Sequence, residues 1–141
     1  MSSNTLLFAY GSLKRGLKYH AYLKYAKFIS DVSTKEKFYF VIFNDYPCLI
    51  DNTDTNCKNL NLQTTHVQGE LYTINSTKCW QKLDDLEGHP KDYRRHSILV
   101  QQDNTIPKNV IAQSYFLQNT RRLLTGNYEQ ISNGNFCETA T

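Results

Sequence analysis

The sequence predicts an α+β fold, either a barrel or an open sheet, formed by a single domain. Three observations predict it: aromatic and β-branched segments recur along the chain, turn residues separate them, and an amphipathic helix lies past the middle. The chain has 141 residues, of which 40% are hydrophobic and 21% charged, so it can bury one core and shape one pocket. We expect one domain over residues 1–141, with a tail that is irregular after about residue 128.

The N-terminal third predicts three strands and a helical turn. Residues 5–10, TLLFAY, form a short apolar run that stops at a glycine, as a buried strand does before a turn. Apolar side chains spaced by four within residues 17–26 favour a short helix or helical turn. Residues 36–43 and 46–50 are rich in aromatic and β-branched side chains, and the turn-like residues 44–45 between them predict a pair of strands.

Further strands are expected before and after the helix. Residues 66–74 alternate well enough to predict a strand, in which Gly69 indicates a bulge or a close approach of another backbone. Residues 95–101 and 109–117 predict two more strands. Residues 51–65, which are polar and rich in Asn and Thr, are expected to form a mobile surface loop.

The clearest helix signal covers residues 76–87, STKCWQKLDDLE. Ser76 or Asn75 is the expected cap, and Gly88 follows as a stop. On a helical wheel the apolar side chains form one arc, made of Cys79, Trp80, Leu83 and Leu86. Glu87 falls inside this arc, whereas its neighbour Asp85 falls opposite, towards water.

Glu87 is an acid in an unfavourable place for a charge. It lies in the last helical turn, where the helix dipole disfavours a carboxylate by about 0.3–1 kcal/mol. Partial burial acts in the same direction, so we expect a raised pKa. An acid of this kind suits proton transfer near neutral pH. The alternative is that Glu87 reaches past the helix end into solvent, or pairs with Arg94 or Arg95.

The turn after the first strand, AYGSLKRG, has two readings. Gly11 and Gly16 have the spacing of a phosphate loop, but Leu-Lys follows where that loop has Lys and Ser or Thr, so the match fails. Gly11 instead lets the N–H groups of Ser12 and Leu13 point outward, as a small nest for a carboxylate or an oxyanion. The alternative is an ordinary turn. Lys14-Arg15 are expected on the solvated rim.

Composition narrows the remaining function classes. The net charge is +3 and the basic residues are dispersed, so the continuous cationic face of a nucleic-acid-binding scaffold is not expected. No apolar run approaches the roughly 20 residues that cross a bilayer, and the first twenty residues lack a cleavable signal. We therefore expect a soluble cytoplasmic protein that does not bind membranes.

The metal-binding residue types are scattered along the chain. The four cysteines are Cys48, Cys57, Cys79 and Cys137, and the four histidines are His20, His66, His89 and His96. No two cysteines form a C-x-x-C pair, and the histidines fall in separate elements. We expect free thiols and no metal site.

Two motifs taken together resemble one family. Residues 8–16, FAYGSLKRG, and residues 83–95, LDDLEGHPKDYRR, are similar to the two signature segments of the γ-glutamylcyclotransferase-like superfamily, particularly its γ-glutamylamine cyclotransferase branch. The segments YPCLI, VQGELYTI and AQSYFL are similar to further strands of that family. The resemblance implies a small mixed β-barrel with flanking helices. Residues 51–65 and the tail after about 128 match poorly.

The resemblance also implies an activity and a site. Such enzymes release 5-oxoproline from a γ-glutamyl amide such as γ-glutamyl-ε-lysine, without a metal or cofactor. Glu87 would be the catalytic acid/base, and the substrate-binding residues would be Tyr10, Gly11, Ser12, Leu13, Tyr93 and Tyr115. A γ-glutamyl amino acid cyclotransferase, or a module that binds a small ligand without turnover, is the alternative. The leaving amine stays open, as does the choice between monomer and homodimer.

Overall fold

A computed structural model of the protein describes residues 5–102 and 108–137. The strands are β1 (Thr5–Ala9), β2 (Lys27–Thr34), β3 (Phe38–Phe43), β4 (Tyr46–Ile50), β5 (Thr64–Thr65), β6 (Gln68–Ile74), β7 (Tyr93–Gln102), β8 (Lys108–Leu117) and β9 (Tyr128–Gln130). The helices are α1 (Thr55–Asn59), α2 (Thr77–Glu87) and two 3₁₀ helices, His20–Leu23 and Thr120–Leu124.

Five of the strands close into a mixed barrel. Neighbours follow the order β1–β6–β2–β7–β8, and β8 pairs back with β1 through Gln113 and Leu7. This closing pair is parallel, whereas the other pairs of the barrel are antiparallel. Of the two architectures that the strand pattern allowed, the chain therefore forms the barrel, as the family resemblance implied.

The sheet extends beyond the barrel at β8. The edge of β8 that contacts β1 near Gln113 contacts β4 near Phe116, and β4 continues into β3, β5 and β9. Along this edge of β8, strand β1 therefore ends and strand β4 replaces it as the neighbouring strand. The predicted hairpin of β3 and β4 is confirmed, and its turn residues Asn44 and Asp45 both have positive φ, as a tight hairpin requires.

Helix α2 packs against the outside of the barrel. Phe8 faces the barrel interior, whereas the preceding Leu7 faces outward and contacts the helix cluster of Trp80 and Leu83. The helix has the predicted bounds: the Ser76 hydroxyl caps its first turn, and Gly88 ends it at φ 65°. Neither α2 nor any other helix of the described residues is long and apolar enough to span a membrane.

Strand β2 is missing from the sequence predictions. Its residues, KFISDVST, alternate poorly because the register shifts between Phe28 and Ser30, so the period-2 pattern is broken. The predicted helical turn within residues 17–26 is the 3₁₀ helix, and the strands at 95–101 and 109–117 are β7 and β8. At Gly69, a Cβ would lie 2.5 Å from the carbonyl oxygen of Ala9, so the expected close approach is confirmed.

Residues 51–65 are not the plain surface loop that their polarity predicted. Asp54 caps helix α1 by accepting a 2.9 Å hydrogen bond from the N–H group of Cys57, and the Cys57 side chain is buried. A second oxygen of Asp54 accepts a 2.8 Å bond from the hydroxyl group of Thr120. Helix α1 is therefore tied to the second 3₁₀ helix.

The tail is more regular than expected. Residues 128–130 form β9, which pairs with β3, and the side chains of Ile131 and Phe136 are buried in the barrel core. Burial of these two apolar side chains contributes to fixing the segment, and its polar composition concealed them. Residues 138–141 lie outside the described part of the chain.

Candidate active site

A cavity of about 440 Å³ lies at the junction along β8 where strand β1 ends and strand β4 becomes the neighbouring strand. Its walls come from the turn after β1, the hairpin of β3 and β4, the end of α2 and the strands that follow. All seven residues that the sequence analysis singled out line it, namely Tyr10, Gly11, Ser12, Leu13, Glu87, Tyr93 and Tyr115. The two motifs, distant in sequence, thus face one space.

Glu87 is the last residue of α2 and is half-buried in the cavity wall. Within the described part of the chain its carboxyl group makes no hydrogen bond and no ion pair. Neither pairing that the sequence left open is formed among the described residues, since Arg94 makes no ion pair there and the guanidinium group of Arg95 lies 3.6 Å from Asp84 instead. Burial raises the pKa of Glu87 to about 7, in the expected direction.

The last turn of α2 is held by groups from two strands. The Tyr115 hydroxyl of β8 donates a 2.7 Å hydrogen bond to Oδ1 of Asp84, and Arg95 of β7 reaches Oδ2. The Arg95 guanidinium also stacks over Trp80, 4.3 Å from the ring centroid. These contacts place the backbone of the helix end, while the Glu87 side chain faces the cavity.

The turn after β1 is closed by its own backbone. Lys14 N–H donates to the Gly11 carbonyl over 3.0 Å, and Tyr19 N–H donates to the Ser12 carbonyl over 2.8 Å. In the described part of the chain, the N–H groups of Ser12 and Leu13 donate to no other group. A pair of backbone donors beside a cavity is a site for a carboxylate or an oxyanion.

The same turn rests on two side-chain anchors. Glu70 accepts 2.8 Å and 3.1 Å hydrogen bonds from the backbone and Nε of Arg15, and another from Tyr72. Burial of Glu70 is outweighed by these bonds, so its pKa lies below the usual value. The ammonium group of Lys14 donates to Oδ1 of Asn135 and to the carbonyl oxygen of Phe136, at 2.9 Å and 2.6 Å.

This arrangement corrects the expectation for Lys14, whereas Arg15 is exposed as expected. Lys14 is 9% exposed, so it is a buried anchor and not a solvated rim residue. The Arg15 side chain is half-exposed, but it too is bound, through Glu70 and a 3.2 Å contact with Asp31. A cation can be buried here because backbone and amide oxygens satisfy it, which the local sequence does not show.

The three predicted pocket tyrosines form walls, and their hydroxyl groups are already engaged. Tyr10 donates a 2.7 Å bond to the carbonyl oxygen of Tyr115, and the Tyr93 hydroxyl lies 3.1 Å from Sγ of Cys48. Burial raises the pKa of each tyrosine and that of the Cys48 thiol, the latter to about 11. These groups therefore stay neutral near pH 7.

A metal site in the described part of the chain would need several His, Cys, Asp or Glu ligands. Within residues 5–102 and 108–137, His, Cys, Asp and Glu side chains do not gather in threes with the geometry that a metal ion needs. All four cysteines have free thiols. Cys48 and Cys57 are buried, Cys79 is half-buried and Cys137 is exposed.

The comparison with known families is decisive at this point. The family model described as "Gamma-glutamyl cyclotransferase, AIG2-like" matches residues 7–138, which include both motifs and the whole cavity wall. The chain belongs to this family. A protein of Methanocaldococcus jannaschii named "Putative gamma-glutamylcyclotransferase" is 34% identical over 126 residues, covering 87% of this chain and 94% of its own. A similarly named protein of Vibrio cholerae is 29% identical, with 94% and 96% covered.

A solved structure supports the γ-glutamyl cyclotransferase fold independently. The crystal structure of an AIG2-like protein from Mus musculus superposes with a TM-score of 0.73, covering 95% of this chain and 88% of its own. Its sequence identity is 23%, so the likeness concerns the fold. The expected small mixed barrel with flanking helices is confirmed.

The γ-glutamyl cyclotransferase cavity also has wall residues that the sequence analysis missed. Arg122 of the second 3₁₀ helix lines it, together with Phe43 and Tyr46 of the hairpin and Tyr19 of the loop after β1. No local pattern marks these positions, because each depends on how distant segments meet. The nearest signal is the pair of arginines in TRRLL, which shows nothing about a cavity.

Proposed function

We propose that the chain is a γ-glutamylamine cyclotransferase, which converts a γ-glutamyl amide such as γ-glutamyl-ε-lysine into 5-oxoproline and a free amine. The observation that carries this proposal is the position of Glu87. A half-buried carboxyl group with a pKa of about 7 shares one cavity with the backbone donors of Ser12 and Leu13. Family membership supports cyclisation, and the two motifs resemble the amine-specific branch.

The reaction needs little from the protein beyond geometry and one proton carrier. The α-amino nitrogen of the substrate attacks its own γ-carbonyl carbon, a new C–N bond closes the five-membered ring, and the old amide C–N bond breaks. The nucleophile belongs to the substrate, so no serine or cysteine has to attack. Holding the chain in a cyclising conformer supplies much of the acceleration, because both reacting groups are in one molecule.

Glu87 moves the proton. As a carboxylate it takes one proton from the α-ammonium group, which frees the nitrogen lone pair for attack. As an acid it then gives this proton to the leaving nitrogen, while the second proton that the α-nitrogen loses passes to water and the leaving amine takes one up from water. A pKa of about 7 leaves both forms of Glu87 populated near neutral pH, which suits a group that must act in both senses.

In this proposal the turn after β1 binds the negatively charged group of the substrate. The N–H groups of Ser12 and Leu13 would donate to the substrate's α-carboxylate or to the oxyanion that forms when the γ-carbonyl is attacked. Tyr10, Tyr93 and Tyr115 supply flat apolar walls for the methylene groups of the glutamyl chain. Their neutral hydroxyl groups do not compete with Glu87 for its proton.

Release of 5-oxoproline tests the proposal directly. The purified chain is given γ-glutamyl-ε-lysine, other γ-glutamyl amines and γ-glutamyl amino acids, and 5-oxoproline is measured. We expect release from the amines, and loss of at least about a hundredfold in Glu87→Gln. Glu129→Gln is the matched control, because Glu129 is exposed and does not line the cavity.

Each other outcome contradicts a different part of the proposal. Release only from γ-glutamyl amino acids would replace the amine by an amino acid as the leaving group. Binding without release from any compound would indicate a binding module. Full activity of Glu87→Gln in a folded protein would exclude Glu87 as the acid/base.

A further inference from the structure

Arg122 places a cation at the mouth of the cavity. Its guanidinium carbon lies 5.8 Å from the ring centroid of Phe43, and its Nε has a long 3.5 Å hydrogen bond to the carbonyl oxygen of Asn119. The residue is exposed, and it forms no ion pair with any described side chain. The two contacts hold the side chain loosely and leave its charge available for a ligand.

The charges of the cavity wall make this arginine distinctive. Among the described residues that line the cavity, Arg122 is the single cation, whereas Asp85, Glu87 and Asp92 are acids. An uncompensated guanidinium group beside a ligand cavity favours an anionic ligand group, and its planar fork fits a carboxylate.

Arg122 lies on the solvent side of the cavity, whereas Glu87 is half-buried in the cavity wall. Both Arg122 and Glu87 act electrostatically on the Cys48 thiol and the Tyr93 hydroxyl, with opposite signs. The pKa of Glu87, in contrast, is raised by burial and shows no effect of Arg122. Cys48 and Tyr93 therefore neighbour both charges, and of the two charged groups the exposed guanidinium lies nearer to solvent.

The substrate has two positions at which a carboxylate can lie. The α-carboxylate of the glutamyl group is bonded to a ring-closing atom, so it stays close to the reacting centre, where the backbone donors of the turn lie. A carboxylate on the leaving group lies farther out, beyond the scissile nitrogen. In γ-glutamyl-ε-lysine a chain of methylene groups separates the two, and Tyr19 and Tyr46 add apolar surface to the cavity wall for such a chain.

We propose that Arg122 binds a carboxylate on the leaving amine, so that the preferred substrates are γ-glutamyl amides whose amine carries a distal carboxylate. The inference rests on the proposed cyclotransferase function and adds to it the chemical class of the leaving group. Arg122 contributes binding that is the same before and during ring closure, so its loss raises KM and leaves kcat almost unchanged.

The test uses two substrates that differ by one carboxylate. γ-Glutamyl-ε-lysine carries it, and γ-glutamylcadaverine, the decarboxylated analogue, keeps the same chain and terminal ammonium group. We expect wild-type kcat/KM to be about tenfold higher for the lysine compound. Arg122→Gln lowers kcat/KM about tenfold for that compound and changes it less than about twofold for the cadaverine compound.

A neighbouring arginine supplies the control. Arg121 is exposed in the same 3₁₀ helix but does not line the cavity, so Arg121→Gln leaves both rates unchanged. Raising the salt concentration weakens the preference of the wild type for the lysine compound, because an exposed ion pair is screened. In Arg122→Gln the ratio of kcat/KM for the two substrates does not change with salt.

The outcomes distinguish failure of the inference about Arg122 from failure of the proposed cyclotransferase function. An equal loss on both substrates would assign Arg122 to the glutamyl end and overturn the inference, as would rates in Arg122→Gln equal to wild type. In both cases the cyclotransferase activity would stand. Release of 5-oxoproline from neither substrate by the wild type would overturn the proposed function, and the inference with it.

Discussion

The hydroxyl group of Tyr115 donates a 2.7 Å hydrogen bond to Oδ1 of Asp84, and this bond ties strand β8 to the helix that ends at Glu87. The other oxygen of Asp84 faces the guanidinium group of Arg95 at 3.6 Å. Two strands that are neighbours in the barrel thus fix the last turn of α2. A proton carrier must be placed to within a fraction of an ångström, so we expect this bond to matter for turnover.

Tyr115→Phe removes only this hydroxyl group. We expect the free energy of unfolding to fall by about 1–2 kcal/mol, because the Asp84 carboxylate loses one donor and keeps Arg95. We expect kcat to fall by about tenfold with a smaller change in KM, because Glu87 is less well placed. Urea unfolding and steady-state kinetics measure both, with Tyr25→Phe, at an 86% exposed residue, as the unaffected control. Wild-type kinetics in Tyr115→Phe would show that Asp84 holds the helix end without Tyr115.

The raised pKa of Glu87 predicts the pH dependence of turnover. In the free enzyme the base must be a carboxylate, and burial raises its pKa to about 7. We therefore expect kcat/KM to fall about tenfold for each pH unit below 7, and to level off above it. Glu129→Gln, at an exposed position outside the cavity, follows the same profile. A profile that stays flat down to pH 5 would contradict a raised pKa at the catalytic base.

The same shift predicts how stability changes with pH. The folded protein keeps the Glu87 proton up to about pH 7, whereas the unfolded chain releases it near 4.5, so the folded state binds more protons in this window. The contribution of Glu87 to stability is therefore fully present below pH 4.5 and is lost as the pH rises through 7.

Glu87→Gln removes this titration. We expect the variant to gain stability relative to the wild type as the pH rises from 4 to 8, by about 2–3 kcal/mol at pH 8. A fully desolvated carboxyl group would give a slightly larger stability difference, but the Glu87 side chain is only half-buried. Chemical denaturation at several pH values measures the difference. A constant difference across this range would mean that Glu87 titrates alike in the folded and unfolded states.

Two glycines of the turn after β1 make a matched pair. A Cβ on Gly11 would lie 2.5 Å from Cγ of Pro47, so Gly11→Ala must push the turn away from β4 and displace the N–H groups of Ser12 and Leu13. Gly16 has φ +79° and no atom within 4 Å of its Cβ position, so Gly16→Ala strains the backbone without contact.

Kinetics and unfolding together distinguish the two variants. We expect Gly11→Ala to lose at least about tenfold in kcat/KM, since the proposed oxyanion donors move. We expect Gly16→Ala to lose about 1 kcal/mol in the free energy of unfolding and to keep its kcat/KM. Equal kcat/KM values in the two variants would show that the position of the turn at Gly11 does not affect the reaction.

The sequence predicts much of this fold because local signals and tertiary contacts agree. The helix ending at Glu87 has a capping serine, one apolar arc and a terminal glycine, and each of these forms as expected. Strand β2 escaped prediction because a bulge breaks its alternation, and helix α1 because its one buried side chain, Cys57, lies in a polar stretch. In both segments the tertiary contacts override a weak local pattern.

The candidate site was predicted in part for the same reason. Glu87 was visible as an acid within an apolar arc, and the Gly11 turn as a strand end, but only the family resemblance joined them. Arg122 and Tyr46 could not be predicted as cavity residues from the sequence. Their positions depend on the junction at which β4 replaces β1 as the neighbour of β8. A pattern within one segment carries no information on such a junction.

Lys14 was expected to be solvated, and its burial gives the last prediction. Its ammonium group joins the turn that holds Ser12 and Leu13 to the C-terminal segment, through Asn135 and the carbonyl oxygen of Phe136. Lys14→Met keeps the length of the side chain and removes the three donors. Both acceptors then lose a charged partner in a buried place, which costs about 2–3 kcal/mol of the free energy of unfolding.

The C-terminal segment should respond before the rest of the fold. We expect amide hydrogen exchange in residues 131–137 to accelerate in Lys14→Met, because the anchor at Phe136 is gone, while exchange in the barrel strands changes less. We expect kcat/KM to fall as well, since the turn loses one of its two anchors and keeps Arg15 with Glu70. Lys35→Met, at an exposed position, is the control that leaves exchange and kinetics unchanged. Unchanged exchange in residues 131–137 would mean that Phe136 and its neighbours hold the segment by apolar packing alone.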